Sequence, residues 1–215
     1  MKSRPILFNA HMVRALLDGT KTQTRRLLKI QPEGCEWQCG AYSPTVIDKY
    51  GDDCAGAEIF GAYTTDGEWS QACPYGQPGD QLWVRETWGV LYEQFINDSH
   101  EPTFWRADYS DSDLAEQKAG TLWLPRWRPS IHMFRNRSRI TLEITNVRVE
   151  RLQDISEADA AAEGWMRKSE RSNDPEVHQD AARDWYSDLW EQINGAESWK
   201  LNPWVWVIEF RKVIA

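Results

Sequence analysis

The sequence predicts an α+β domain in which a mixed β-barrel carries flanking helices and two long irregular insertions. Three observations lead there. Segments with strand alternation recur from the first residues to the last, and helical periodicity is confined to three stretches between them. Two regions, at about residues 33–77 and 89–135, lose clear periodicity and fill with turn-forming residues. The length, 215 residues, suits a single domain spanning residues 1–215, and 41% hydrophobic with 27% charged residues is ordinary for a globular chain that buries a sizeable core.

Taken in order, residues 4–10 (Arg-Pro-Ile-Leu-Phe-Asn-Ala) read as a short strand. Asn9 suits the cap of a helix over about 11–18, with Met12, Val13, Leu16 and Leu17 on one face and Arg14 turned to solvent or ligand. Gly19 suits the left-handed residue past the helix end. Thr20, Thr22 and Thr24 then alternate with Lys21, Gln23 and Arg25, a strand period. Lys21 and Thr24 are three apart, so they face opposite ways on a regular strand and converge only if the turn bends the chain. One reading of Lys21 to Arg26 is a basic turn that offsets the helix dipole. The other is an anion or nucleotide site, or a threonine nucleophile activated by a lysine.

The first insertion holds short alternating pieces such as Glu58-Ile59-Phe60-Gly61-Ala62-Tyr63, expected to form hairpins and loops beside the core. It also holds all four cysteines, Cys35, Cys39, Cys54 and Cys73; the Cys35-x3-Cys39 spacing is compatible with a structural zinc, with unpaired reduced thiols as the plainer alternative and no cofactor as the expectation. A turn at Gly76-Gln77-Pro78-Gly79-Asp80 leads into a strand with Leu82, Val84 and Glu86 on one face and Trp83, Arg85 and Thr87 on the other. Arg85 and Glu86 would line the mouth of a barrel or form a surface ion pair. The second insertion is acidic first (Asp108, Asp111, Asp113, Glu116) and basic later. There Trp123, Arg126, Trp127 and Arg128 interleave rings with guanidiniums, either as a loop for bases and phosphates or as tryptophans packed on the core beneath snorkelling arginines.

Residues 138–152 are the clearest strand. Ser156 with Asp159 resembles a capping box for an alanine-rich helix that Gly164 ends. Glu163 lies in the last turn, where the helix dipole disfavours a carboxylate, and such local violations concentrate at sites. A polar loop over 167–175 precedes a helix over 176–194, with Ala182, Trp185, Tyr186, Leu189, Trp190 and Ile193 on its apolar face, and residues 203–211 supply a last strand.

Net charge is −8, so no global basic footprint exists, yet residues 117–142 contain no acid and hold Lys118, Arg126, Arg128, Arg135, Arg137 and Arg139. Thirteen tryptophans exceed ordinary use; most are expected in the core and some in a groove that stacks a flat ligand. No apolar run long enough for a membrane helix occurs and the first residues lack the apolar core of a signal peptide, so the expected location is cytoplasmic, with no membrane partner. There is no Gly-x-Ser-x-Gly, phosphate-binding glycine loop or paired-histidine metal motif, which removes serine-hydrolase, kinase and nucleotide-fold readings.

Several runs together resemble the ASCH domain, a PUA-like β-barrel fold: Gly19-Thr20-Lys21-Thr22-Gln23-Thr24-Arg25, the helix ending at Glu163-Gly164, and the last strand. Arg-Pro-Ile-Leu-Phe at 4–8, Cys-Pro-Tyr-Gly-Gln-Pro-Gly-Asp-Gln-Leu-Trp-Val-Arg-Glu-Thr-Trp at 73–88 and Pro-Trp-Val-Trp-Val-Ile at 203–208 are similar to its phage and prophage branch. The resemblance implies RNA, DNA or a modified nucleoside as partner. It also implies likeness to a small bacterial amidohydrolase that removes the acetyl group of N4-acetylcytidine with Thr, Lys and Glu. That enzyme's Gly-x-Lys-Thr-x-Thr-x-Arg motif overlays Gly19, Lys21, Thr22, Thr24 and Arg26, so the implied triad is Lys21, Thr24 and Glu163. Thr22, Arg25, Arg26, Arg85, Glu86, Arg126, Trp127 and Arg128 are the expected ligand-binding set. A non-catalytic RNA- or DNA-binding module and a ribonuclease using the same cleft are the alternatives that the resemblance leaves open.

Overall fold

The computed structural model describes residues 1–34, 36–91, 102–165 and 181–213. Strand β1 (Ser3–Leu7) leads into helix α1 (Ala10–Leu17), whose first turn is closed by Asn9 Oδ1 accepting from Met12 N–H at 2.9 Å. Met12, Val13, Ala15 and Leu16 are buried. Leu17 is 37% exposed, so Ala15 takes the place expected for it on the buried face. Arg14 is not free: its guanidinium donates to the carbonyls of Ala107 and Tyr109 at 2.9 and 3.1 Å, tying α1 to the second insertion.

Strand β2 (Gln23–Leu27) follows. The first insertion then builds β3 (Trp37–Tyr42), a hairpin of β4 (Thr45–Ile47) and β5 (Asp53–Ala55), β6 (Ile59–Thr64) and β7 (Ser70–Ala72). These make a three-stranded sheet, β3-β6-β7, and a separate two-stranded ribbon. Gly61 in β6 sits so close to β7 that an added Cβ would lie 2.3 Å from the Gln71 carbonyl oxygen, which fixes glycine there.

Strand β8 (Gln81–Arg85) has the expected alternation, with Leu82, Val84 and the following Glu86 all at most 1% exposed. Asp80, just before it, accepts from the Lys2 N–H at 2.6 Å and from Arg4 Nη1 at 3.0 Å, which fastens the N-terminal strand to the turn. The second insertion contributes β9 (Trp88–Val90), β10 (Thr103–Trp105) and helix α2 (Asp111–Ala119). The last was missed because its apolar signal is weak and no residue of it is buried; a complete Ser110–Asp113 capping box and left-handed Gly120 define its ends.

Strand β11 (Thr141–Arg151), helix α3 (Glu157–Ala162), helix α4 (Ala181–Asn194) and strand β12 (Trp204–Lys212) complete the chain. The main sheet has the order β1-β8-β11-β12-β2, parallel at β1–β8 and antiparallel elsewhere. It is a mixed α+β architecture with several sheets, and among the described residues no backbone pairing joins β1 to β2 to close a barrel. A side chain spans that gap: Arg26 Nη2 donates to the Leu7 carbonyl at 2.8 Å.

Two apolar clusters flank the sheet. One joins α1 to the first insertion through Phe8, Leu82, Leu142, Trp206 and Ile208; the other packs α3 and α4 on Val205 and Val207. Trp88 and Trp206 are fully buried and Trp37 and Trp190 nearly so, while Trp123 is 61% exposed. No helix among the described residues is long and apolar enough to cross a membrane.

Candidate functional site

The turn between α1 and β2 is shaped by Gly19 at φ +79°, after which the N–H groups of Thr20 and Lys21 both donate to the Ala15 carbonyl at 3.0 Å. The chain then meets the C-terminus of α3: Thr22 N–H donates to Ala162 C=O at 2.9 Å, and Lys21 and Glu163 form an isolated β-bridge. Gly164 permits this approach. Its φ is +102°, and an added Cβ would lie 2.8 Å from Ala15 Cβ and 3.2 Å from Lys21 Cβ.

Lys21 Nζ donates at 2.8 Å to the Glu163 backbone carbonyl and at 2.8 Å to its Oε2. One ammonium therefore caps the helix end and pairs the carboxylate that the dipole disfavours. Both residues are 2% exposed. Burial holds the Lys21 amine below its ordinary value of 10.5; Glu163 opposes that shift, while Arg26 and Arg25 reinforce it.

Arg25 extends the pair into a network. Its Nη1 reaches Glu163 Oε1 at 3.3 Å, and its Nη2 donates to Glu150 and, at 3.4 Å, to Asp159. Arg148 closes the far side, bonded to Glu150 at 3.0 Å, Asp159 at 3.2 Å and Glu209. Asp159 is thus occupied by arginines, which is why the second half of the expected Ser156 capping box is absent: Ser156 accepts from Asp159 N–H at 3.1 Å, but no return bond forms. Sequence reasoning missed Glu150, Asp159 and Arg148 because their strand and helix periods place them on ordinary polar faces; only the three-dimensional crossing of β11, α3 and β2 brings them together.

A pocket of about 220 Å³ opens beside this pair. Thr24, Arg25, Arg26 and Leu27 line one side, Glu163 joins them, and Tyr186, Leu189, Trp190 and Ile193 of α4 form the opposite wall. Met12, Tyr75 and Asn194 complete the lining. Burial pushes the Tyr186 hydroxyl well above its ordinary 10, and Glu163 adds to the shift. Tyr75, in the 73–88 run, escapes sequence reasoning; the signal it carries is a lone aromatic beside a Gly-Gln-Pro-Gly turn.

The expected triad is only partly assembled around the pocket. Thr24, 1% exposed, and Glu163 line it together. Lys21 lies behind Glu163 with a side chain 0% exposed, and its two hydrogen bonds both go to Glu163. Arg26 lines the pocket while its guanidinium sits 5.3 Å from the Phe8 ring centre. Thr22 is exposed at the approach to β2, away from the lining.

The remaining expected residues lie elsewhere. Arg85 and Glu86 do not pair with each other: they face opposite sides of the sheet, Glu86 accepting from Arg139 at 2.9 and 3.1 Å and Arg85 donating to the Ile131 carbonyl. The Arg85 guanidinium lies 5.3 Å, and that of Arg135 5.9 Å, from the Trp83 ring centre. Trp127 donates to Gln117 Oε1 at 3.1 Å and leans on Tyr109, Arg126 is exposed beside it, and Arg128 pairs its backbone with Trp88. None of these residues lines the pocket.

Among the described residues no group of three or more potential metal ligands converges. Cys39 and Cys73 belong to the core side of the first insertion, where burial pushes the Cys39 thiol up to about 12, whereas Cys54 is exposed on the β4–β5 ribbon; Cys35 lies outside the described residues. That placement does not fit the four-thiolate zinc set. The polar loop over 167–175 and the start of the following helix also lie outside the described residues.

No family model and no curated protein matches the chain. Among solved structures, the crystal structure of an ASCH domain from Lactobacillus crispatus JV V101 is similar, at 15% identity over 98% of this chain and 79% of that one, with a TM-score of 0.36.

Proposed function

We propose that the pocket binds a nucleobase or nucleoside and removes an acyl group from its exocyclic nitrogen, with N4-acetylcytidine as the first substrate to test. The observation that carries this reading is the buried Lys21–Glu163 pair set behind a pocket that the Thr24 side lines. Replacing a buried pair with apolar residues is often neutral or stabilising, so stability alone gives little reason for one here. The motif resemblance at Gly19, Lys21, Thr22, Thr24 and Arg26 supports the same assignment.

In the proposed reaction, neutral Lys21 accepts the Thr24 Oγ proton as Oγ bonds to the acyl carbon. The carbon–nitrogen bond then breaks and Lys21 returns the proton to the leaving amine. Water hydrolyses the threonine ester, giving acetate and free Thr24. Glu163 orients Lys21, and Arg26 supplies positive charge toward the oxyanion. Burial lowers the Lys21 value from 10.5, the direction this step requires, although Glu163 opposes that shift.

A second reading, binding without chemistry, is favoured by one observation: the Lys21 side chain is 0% exposed and both its bonds go to Glu163. Conversion of N4-acetylcytidine to cytidine separates the two. The deacylase reading expects turnover by the wild type and loss of about a hundred-fold or more in Thr24→Ala. No turnover by the wild type, or equal rates, removes it.

A further inference from the structure

The pocket touches four consecutive residues, Thr24 to Leu27. Side chains of neighbouring strand residues point to opposite faces, so a cavity that meets four in a row runs along the strand's edge rather than over a face. Strand β2 is the last of its sheet. Its pairing with β12 fixes which backbone groups point outward. Phe210 N–H donates to Thr22 C=O at 2.9 Å and Leu28 N–H to Trp204 C=O at 3.0 Å, so the even positions face β12. By antiparallel alternation, the N–H and C=O of Arg25 face away from β12, along the pocket. Among the described residues neither group has a hydrogen-bond partner. Arg25 is nevertheless 2% exposed, and unpaired backbone groups in buried positions are rare and costly.

We propose that this main-chain N–H and C=O of Arg25 are the recognition element of the pocket, reading the hydrogen-bonding edge of a nucleobase. The inference rests on the nucleoside reading given above and adds how the base is held. One residue presents a donor beside an acceptor. The complement is a planar heterocycle with a ring-nitrogen acceptor next to an exocyclic N–H donor, as in cytosine and adenine. N4-acetylcytosine keeps both, since one hydrogen remains on its exocyclic nitrogen. In the opposite wall Leu189, Trp190 and Ile193 offer apolar surface that suits a ring, with Tyr186 and Asn194 beside them as its polar members. At about 220 Å³ the pocket is smaller than the roughly 300–1,000 Å³ typical of sites for drug-sized ligands. A peptide strand fits less well, because the edge is only five residues long.

The test titrates the ¹⁵N-labelled full chain with cytidine and with 3-methylcytidine, whose ring nitrogen is blocked. The expected result is a downfield shift of the Arg25 amide with cytidine and at least about ten-fold weaker binding of the methylated nucleoside. Cytidine binding that leaves the Arg25 amide unmoved, equal affinity for the two nucleosides, or no response of the pocket to cytidine overturns the proposal. Binding at Arg25 without hydrolysis of N4-acetylcytidine removes the deacylase and keeps this mode of recognition. Hydrolysis with the Arg25 amide unmoved does the reverse.

Discussion

Lys21 is the residue on which most of the site depends. It caps α3, neutralises Glu163 and lies within 5.5 Å of the Phe8 ring centre. Removing its charge by Lys21→Met leaves Glu163, among the described residues, with only the longer Arg25 contact, a loss expected to cost about 3–5 kcal/mol in chemical denaturation. The pH dependence has a definite sign. The folded value lies below 10.5, so between the two values the unfolded chain holds more protons than the folded one. Wild-type stability should therefore gain from Lys21 as pH rises across that interval and lose that gain as pH falls back through the folded value. Comparing denaturation midpoints of wild type and Lys21→Met from neutral pH upward checks this; a difference between the two that stays flat with pH contradicts it. The unusual place of Glu163 was legible in the sequence because a carboxylate at a helix end breaks a local rule. The identity of its second partner, Arg25, was not, because a strand period says which face a residue takes and not which helix crosses it.

At the level of elements, β2 matters through its edge. Thr24 and Arg26 spend their backbone groups on β12, whereas those of Arg25 face away from it, on the open edge of the sheet beside the pocket. Amide exchange should show the alternation: slow at Thr24 and Arg26, faster at Arg25 between them, with the Arg25 amide slowing when cytidine is bound. Uniform protection along β2 would mean that Arg25 has a partner after all. The strand itself, the cap at Asn9 and the stops at Gly19 and Gly164 were readable from spacing and turn chemistry. Helix α2 was not, since a helix with no buried residue leaves no apolar period to find. Of the two readings of Arg85 and Glu86, the ion pair does not form, for a reason the sequence already held: adjacent strand residues face opposite sides.

Across the whole molecule, charge is partitioned rather than pooled. The net charge is −8, and many of the arginines are committed to carboxylates or carbonyls: Arg25 and Arg148 around the pocket, Arg139 on Glu86 and Asp108, Arg85 on Ile131. The two insertions form small sheets and a helix beside the main sheet, and neither supplies the base-binding loop expected near Trp127 to the pocket, although Tyr75 reaches it from the end of the first. Under the proposed function, a site organised this way would take a neutral nucleoside without phosphate contacts. Cytidine affinity measured by calorimetry should then change less than about two-fold between roughly 50 and 200 mM salt, where a site making many phosphate contacts loses orders of magnitude. A steep salt dependence would instead place phosphate recognition at the centre of binding.

In the proposed reaction Thr24 is the nucleophile of this pocket, and the covalent step makes that role directly visible. Wild-type protein quenched during turnover of N4-acetylcytidine and digested for mass spectrometry should carry one acetyl group on the peptide containing Thr24, and Thr24→Ala should carry none. Release of cytidine with Thr24 unmodified throughout, or no release of cytidine at all, would contradict the account.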